Sequence, residues 1–160
     1  MKRFSFLKAG TTRLTFLFGK YAFKIMRVRP LYGFRKANKA RKEGLLGKKS
    51  FVRFLLGNAL YGLVVNRLEY QYYQSHKNDE KVMPTEKMFL WGIAILQLRG
   101  SRGITDEELR TILVRNPINM LAQSDLTQAA QYCLHPHTGR IVVVDFGDPR
   151  TISVLPQLVV

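Results

Sequence analysis

Between residues 4 and 28 the chain alternates in polarity and is rich in Phe, Tyr, Thr and Val, with turn punctuation at Gly10 and at Gly19-Lys20. β-branched and aromatic residues at a period of two predict strands. The punctuation divides the segment into strands at 4–8, 13–18 and 21–28, running antiparallel. In the third strand Ala22, Lys24 and Met26 share one face, and Tyr21, Phe23 and Ile25 the other. Lys24 is therefore an ammonium group set in a short apolar strand. Taken alone, such a lysine is most simply a side chain that buries its stem and leads its charge to water.

The rest of the chain predicts an α+β protein. Residues 27–49 carry Arg27, Arg29, Arg35, Lys36, Lys39, Arg41, Lys42, Lys48 and Lys49, interrupted by Pro30, Gly33, Gly44 and Gly47. That pattern predicts an exposed basic insertion, mostly loop, with one short helix near 34–43. Apolar residues from Phe51 to Leu68 predict a long helix over 51–74, with two helices and a kink as the alternative because Gly57 and Gly62 weaken its middle. Strands are expected at 88–94 and 95–99, with Trp91 in the core. Thr105 and Glu108 form a capping-box pair, so a helix should start there and stop before Pro117, with a second short helix near 118–123. His137-Thr138-Gly139 then makes a turn into a strand at 140–144, and Asp145-Phe146-Gly147 follows directly.

At 160 residues the chain is expected to form a single domain, and 46% hydrophobic against 23% charged residues excludes a mainly disordered one. Charge is distributed very unevenly. Residues 1–57 hold 16 Lys and Arg against Glu43 alone, whereas residues 58–160 hold 10 basic and 10 acidic residues, so the net +15 belongs to the first third. A lone cysteine, Cys133, excludes a disulfide scaffold and favours a reducing compartment. The apolar stretches at 54–65 and 88–98 fall short of the ~20 residues of a spanning helix, so no membrane association and a cytoplasmic location are expected. Cys133, His135 and His137 would share a strand face, but a zinc site needs a fourth ligand that is not nearby.

Three pieces occur in an order that carries chemistry. Tyr21-Ala22-Phe23-Lys24-Ile25 sets a lysine in a strand, Asn66-Arg67-Leu68-Glu69-Tyr70 sets a glutamate late in a helix, and Ile141-Val142-Val143-Val144-Asp145-Phe146-Gly147 ends a strand on an aspartate. Together they resemble the protein-kinase-like fold, in a minimal form like that of small bacterial and phage-borne kinase-like proteins. The resemblance covers residues 4–150. It implies an N-terminal lobe over 1–100, an antiparallel sheet with one long helix, and a truncated, mainly helical C-terminal lobe over 101–160. It also implies ATP and Mg²⁺ as ligands, with Lys24 on the phosphates, Glu69 orienting Lys24, and Asp145 holding the metal. Gly10, Thr11 and Thr12 stand where the family has its glycine-rich phosphate loop. Asp125, 20 residues before Asp145, stands near the position of the family's catalytic base. The metal-binding asparagine has no counterpart, and Gln131 takes its place if one residue is inserted. Glutamine adds a methylene, displacing a ligand by about 1.5 Å where about 0.5 Å matters, so the expected activity is nucleotide binding with weak or absent phosphoryl transfer.

The competing expectation is a non-enzymatic module, a pseudokinase, that recognises nucleic acid or an acidic protein through Arg35, Lys36, Lys39, Arg41 and Lys42. A charge run is usually only a solvated surface, but 16 cations against one carboxylate in 57 residues form a field suited to a polyanion. Tyr32, Phe34 and Phe51 are interleaved with it and would suit either base stacking or core packing.

Overall fold

A computed structural model describes residues 4–9, 12–122, 124 and 126–160. Among the described residues seven strands and six α-helices follow one another: β1 (Phe4–Ala9), β2 (Arg13–Phe18), β3 (Tyr21–Met26), α1 (Pro30–Lys42), α2 (Lys48–Ala59), α3 (Tyr61–Ser75), β4 (Thr85–Phe89), β5 (Ala94–Leu98), α4 (Asp106–Arg115), α5 (Ile118–Ala122), β6 (Tyr132–Leu134), β7 (Ile141–Val143) and α6 (Pro149–Val154). The first five strands form one antiparallel sheet in the order β1-β2-β3-β5-β4. The protein is thus α+β, with an N-terminal antiparallel sheet. No helix among the described residues is long and apolar enough to cross a membrane.

Register explains which side of the sheet is inside. Lys24 lies opposite Thr15 on β2 and Ile95 on β5, and Ala22 lies opposite Gln97, which in turn faces Thr85. Ala22, Lys24, Ile95, Gln97 and Thr85 are all buried, because this face packs beneath α3. On the opposite face Phe23 meets the Phe89 ring edge to face at 5.6 Å.

Three expectations about the middle of the chain are corrected. The basic run 27–49 is mostly helix rather than mostly loop, since α1 takes Pro30–Lys42 where only a short helix near 34–43 is expected. Pro30 sits in its first turn, where a missing N–H costs nothing, and Gly33, Ala37 and Ala40 are its buried side. Those small residues let α1 lie close on α2; a Cβ at Gly33 would come within 2.6 Å of the Leu55 carbonyl. In place of one long helix there are two, α2 and α3, broken at Leu60, the alternative that Gly57 and Gly62 leave open. Trp91 is not in the core. It is 84% exposed, in a turn between β4 and β5 where Leu90 and Trp91 both take left-handed backbone conformations.

The capping box at Thr105 and Glu108 is present with both hydrogen bonds, and α4 ends before Pro117 as expected. In the second half α4, α5 and α6 are short, and β6 pairs with β7 in a hairpin whose turn uses Gly139 at φ 67°. Two neighbouring segments flank this hairpin. The Val143 amide donates to the Lys81 carbonyl and the Met83 amide to the Val143 carbonyl, while the Leu134 amide donates to the Arg102 carbonyl. Phe146 is fully buried against Tyr72 of α3 in a core with Ile112, Leu126 and Leu155.

Gly147 shows how tightly the 145–147 turn is held. A Cβ there would lie 2.2 Å from the Val65 carbonyl oxygen of α3. Gly147→Ala is expected to destabilise the protein by about 1–3 kcal/mol, the cost of overpacking. Gly57→Ala, in α2 with open space around it, should stabilise by up to about 1 kcal/mol through helix propensity. Urea midpoints at unchanged slope measure both. Equal shifts in the two variants would contradict the close approach.

Candidate functional site

Beneath the sheet, α3 carries Asn66 and Glu69 one turn apart on its buried side. Glu69 is wholly buried, and its two oxygens are shared among three donors. Oε1 accepts from Lys24 Nζ at 2.8 Å and from Gln97 Nε2 at 3.0 Å, and Oε2 accepts from Arg13 at 2.6 Å. Arg13 enters from the first residue of β2. Its guanidinium also donates to Asn66 Oδ1 at 3.2 Å and reaches the Asp145 carboxylate. Lys24 completes its bonding on the carbonyl of Val144, the residue before that aspartate. Asn66 turns its amide nitrogen to the carbonyls of Gly92 and Ile93, holding the β4–β5 turn.

Burying one charge alone costs several kcal/mol; a network of two cations and two carboxylates, with Glu69 hydrogen-bonded by Lys24, Arg13 and Gln97, offsets part of that cost. Asp145 alone faces outward, its side chain 48% exposed. The two ends of the lysine pair are not equally satisfied. Burial depresses the Lys24 pKa to about 8, only partly opposed by Glu69 and reinforced by repulsion from Arg13. Burial would raise the Glu69 pKa, but the charges of Arg13 and Lys24 and their hydrogen bonds more than offset it, and the group ends below the usual carboxylate range.

The structure therefore brings Lys24, Glu69 and Asp145 into one network. A cavity of about 560 Å³ opens beside it, with Thr12, Gln131 and Asp145 in its lining. The Val144 amide donates to the Gln131 carbonyl at 2.9 Å, which sets Gln131 next to the strand leading into Asp145. Gln131 Oε1 is buried with no hydrogen-bond partner among the described residues. Gly10, Thr11 and Asp125 lie outside the described residues. Arg35, Lys36, Lys39, Arg41 and Lys42 are all exposed on α1.

Three participants went unread in the sequence. Arg13, Asn66 and Gln97 look like ordinary surface positions, and only Gln97, an amide within the apolar Ala94–Leu98 strand, carried a signal. The Cys133, His135 and His137 grouping is structural instead. His135 Nδ1 accepts from the His137 and Thr138 amides at 3.3 Å each and so closes the β6–β7 turn. Among the described residues no group of three or more His, Cys, Asp or Glu forms a metal cluster. No protein-family profile, curated protein or solved structure matches the chain.

The depressed Lys24 pKa has a measurable sign. Above about pH 8 the folded protein releases this proton while the unfolded chain still holds it, so the lysine's contribution to stability rises with pH. Wild type is expected to gain on Lys24→Met by up to about 1.4 kcal/mol per pH unit between about pH 8 and pH 10 in denaturant titrations. A stability difference that stays flat across that window would show that Lys24 titrates normally.

Proposed function

We propose that the protein is a minimal kinase-like nucleotide-binding protein, taking a purine nucleotide with Mg²⁺ and transferring its phosphoryl group weakly or not at all. The observation that carries this reading is the buried Lys24–Glu69 pair, whose lysine also rests on the carbonyl preceding Asp145. Sheet, helix and strand end thereby deliver an ammonium group and a half-exposed carboxylate to one place, the two charges that phosphoryl groups and their metal require. Thr12 would face the phosphates from the β1–β2 connection.

The residues fit a hard cation. Asp145 offers a half-exposed carboxylate, Gln131 a buried amide oxygen without a partner among the described residues, and both line the same cavity. Mg²⁺ held there would neutralise phosphate charge. Arg13 already engages the Asp145 carboxylate, which opposes metal entry and favours binding over turnover. Asp125 is the residue assigned to accept the proton of an attacking hydroxyl.

Saturating ATP and Mg²⁺, at 100 times the dissociation constant, should stabilise wild type by about 2.7 kcal/mol in a thermal-shift assay. Asp145→Ala, at a half-exposed position, should fold and lose most of that gain. No shift at millimolar nucleotide would overturn the proposal.

A second reading, a basic binding module, is favoured by α1. Its five cations are all exposed, and the neighbouring carboxylate, Glu43, meets Lys39 at 3.7 Å. Such a helix would bind single-stranded nucleic acid through counterion release. With roughly five phosphate contacts, log affinity is expected to fall by about 3.5 per tenfold rise in salt. Changing Arg35, Lys36, Lys39, Arg41 and Lys42 to Gln should weaken binding and flatten that slope together, with helix content retained by circular dichroism. Unchanged affinity and slope would leave α1 merely solvated.

A further inference from the structure

The outer face of the five-stranded sheet, turned away from α3, is aromatic. Phe18 lies directly opposite Tyr21 across the β2–β3 hairpin, Phe16 lies opposite Phe23, and Phe23 meets the Phe89 ring of β4. Phe18 and Phe89 are exposed, and Tyr21 and Phe23 are only partly buried. The β4–β5 turn, which follows Phe89, adds the exposed Trp91. Leu90 and Trp91 take φ 45° and 56°, a left-handed backbone that residues other than glycine seldom adopt. Buried Asn66 secures that turn through the Gly92 and Ile93 carbonyls, so Trp91 stands on a fixed backbone. The rings run diagonally across the sheet, from the β2–β3 turn at one end to the β4–β5 turn at the other.

Cations accompany this track. Lys20, in the β2–β3 turn, places Nζ 5.2 Å from the Tyr21 ring centroid, and the Arg99 amide donates to the Lys20 carbonyl, so two exposed cations meet at that end. Lys87 is exposed on β4, opposite Leu96 and therefore on the outer face. Three of the five strands come from residues 1–57, which hold 16 Lys and Arg against Glu43 alone. A second copy laid face to face would bring two such cationic halves together, and like charges oppose that contact. A single strand of nucleic acid matches both properties at once, because its bases stack on aromatic rings and its phosphates meet cations.

We infer that the outer face of the sheet binds single-stranded nucleic acid, with bases stacked on Phe18, Tyr21, Phe89 and Trp91 and phosphates held by Lys20, Lys87 and Arg99. The ligand class is that of the basic-module reading of α1, but the residues differ and so does the interaction. On α1 the phosphates alone are recognised, whereas on the sheet the bases must be unpaired to stack.

Trp91 is the chain's single tryptophan, so its fluorescence reports this surface alone. The probe is an oligothymidylate of about 15 nucleotides, within the span of a single-strand site and free of the purines assigned to the Lys24 site. It should quench Trp91 saturably. An abasic strand of equal length, with the same phosphates, should bind at least about tenfold more weakly and leave the fluorescence unchanged. Phe18→Leu with Trp91→Leu should cost at least about tenfold in affinity, read from the anisotropy of a labelled oligothymidylate. Leucine keeps the apolar area and removes the stacking ring, and both positions are exposed, so circular dichroism should stay that of wild type. Trp91→Leu alone carries the test should the double variant unfold. The α1 glutamine variant should still show quenching. No quenching, equal binding of the abasic strand, or unchanged affinity of the leucine variant would each overturn the inference. Binding lost in the α1 variant but not in the leucine variant would leave the α1 reading standing and remove this one; the converse keeps the sheet and removes α1. Absence of all binding removes both, and sedimentation as a dimer would then assign the face to a second copy.

Discussion

Glu69 is the point on which the structure depends. It is fully buried, and without it Lys24 and Arg13 would be two cations facing each other beneath an apolar sheet. The carboxylate on α3 thus makes it possible for two strands to carry inward-facing charge. It also fixes how α3 lies on the sheet, because Gln97 of β5, Lys24 of β3 and Arg13 of β2 all converge on it. Apolar contact alone tolerates sliding; a carboxylate shared by three donors from three strands does not.

From that centre the network reaches both ends of the chain. Arg13 and Lys24 lead on to Asp145 and the Val144 carbonyl, so the β6–β7 hairpin is tied electrostatically to a sheet more than a hundred residues earlier. Close packing reinforces this link, with Phe146 buried on Tyr72 and Gly147 against Val65. The same contacts that hold the halves together bring an ammonium group and a half-exposed carboxylate side by side. Fold and candidate chemistry rest on one set of interactions, which is why the proposed metal ligand is also an ion-pair partner of Arg13.

Much of this was legible in the sequence, for identifiable reasons. Lys24 stood out because an apolar strand surrounds it, and the α4 start and the Gly139 turn because local hydrogen-bonding chemistry sets them. Arg13 was not legible: an arginine opening an alternating strand looks solvated, and its partners Asn66 and Glu69 lie 53 and 56 residues away. The α1 helix was obscured by Pro30 and Gly33, residues that usually break helices. Here one sits in the first turn and the other is the contact with α2. Trp91 was misplaced because an apolar residue in an apolar segment predicts burial. The Asn66 amide instead holds a turn that projects it outward.

The most direct test is a double-mutant cycle on Lys24 and Glu69, read from denaturant unfolding of wild type, Lys24→Met, Glu69→Leu and the double variant. Removing one partner of a buried pair leaves an uncompensated charge, so each single change is expected to cost about 3–5 kcal/mol. In the double variant Arg13 still has Asp145, and the loss should fall at least about 2 kcal/mol short of the sum of the singles. Single losses that add to within about 0.5 kcal/mol would mean that the two side chains do not depend on each other, contradicting the account.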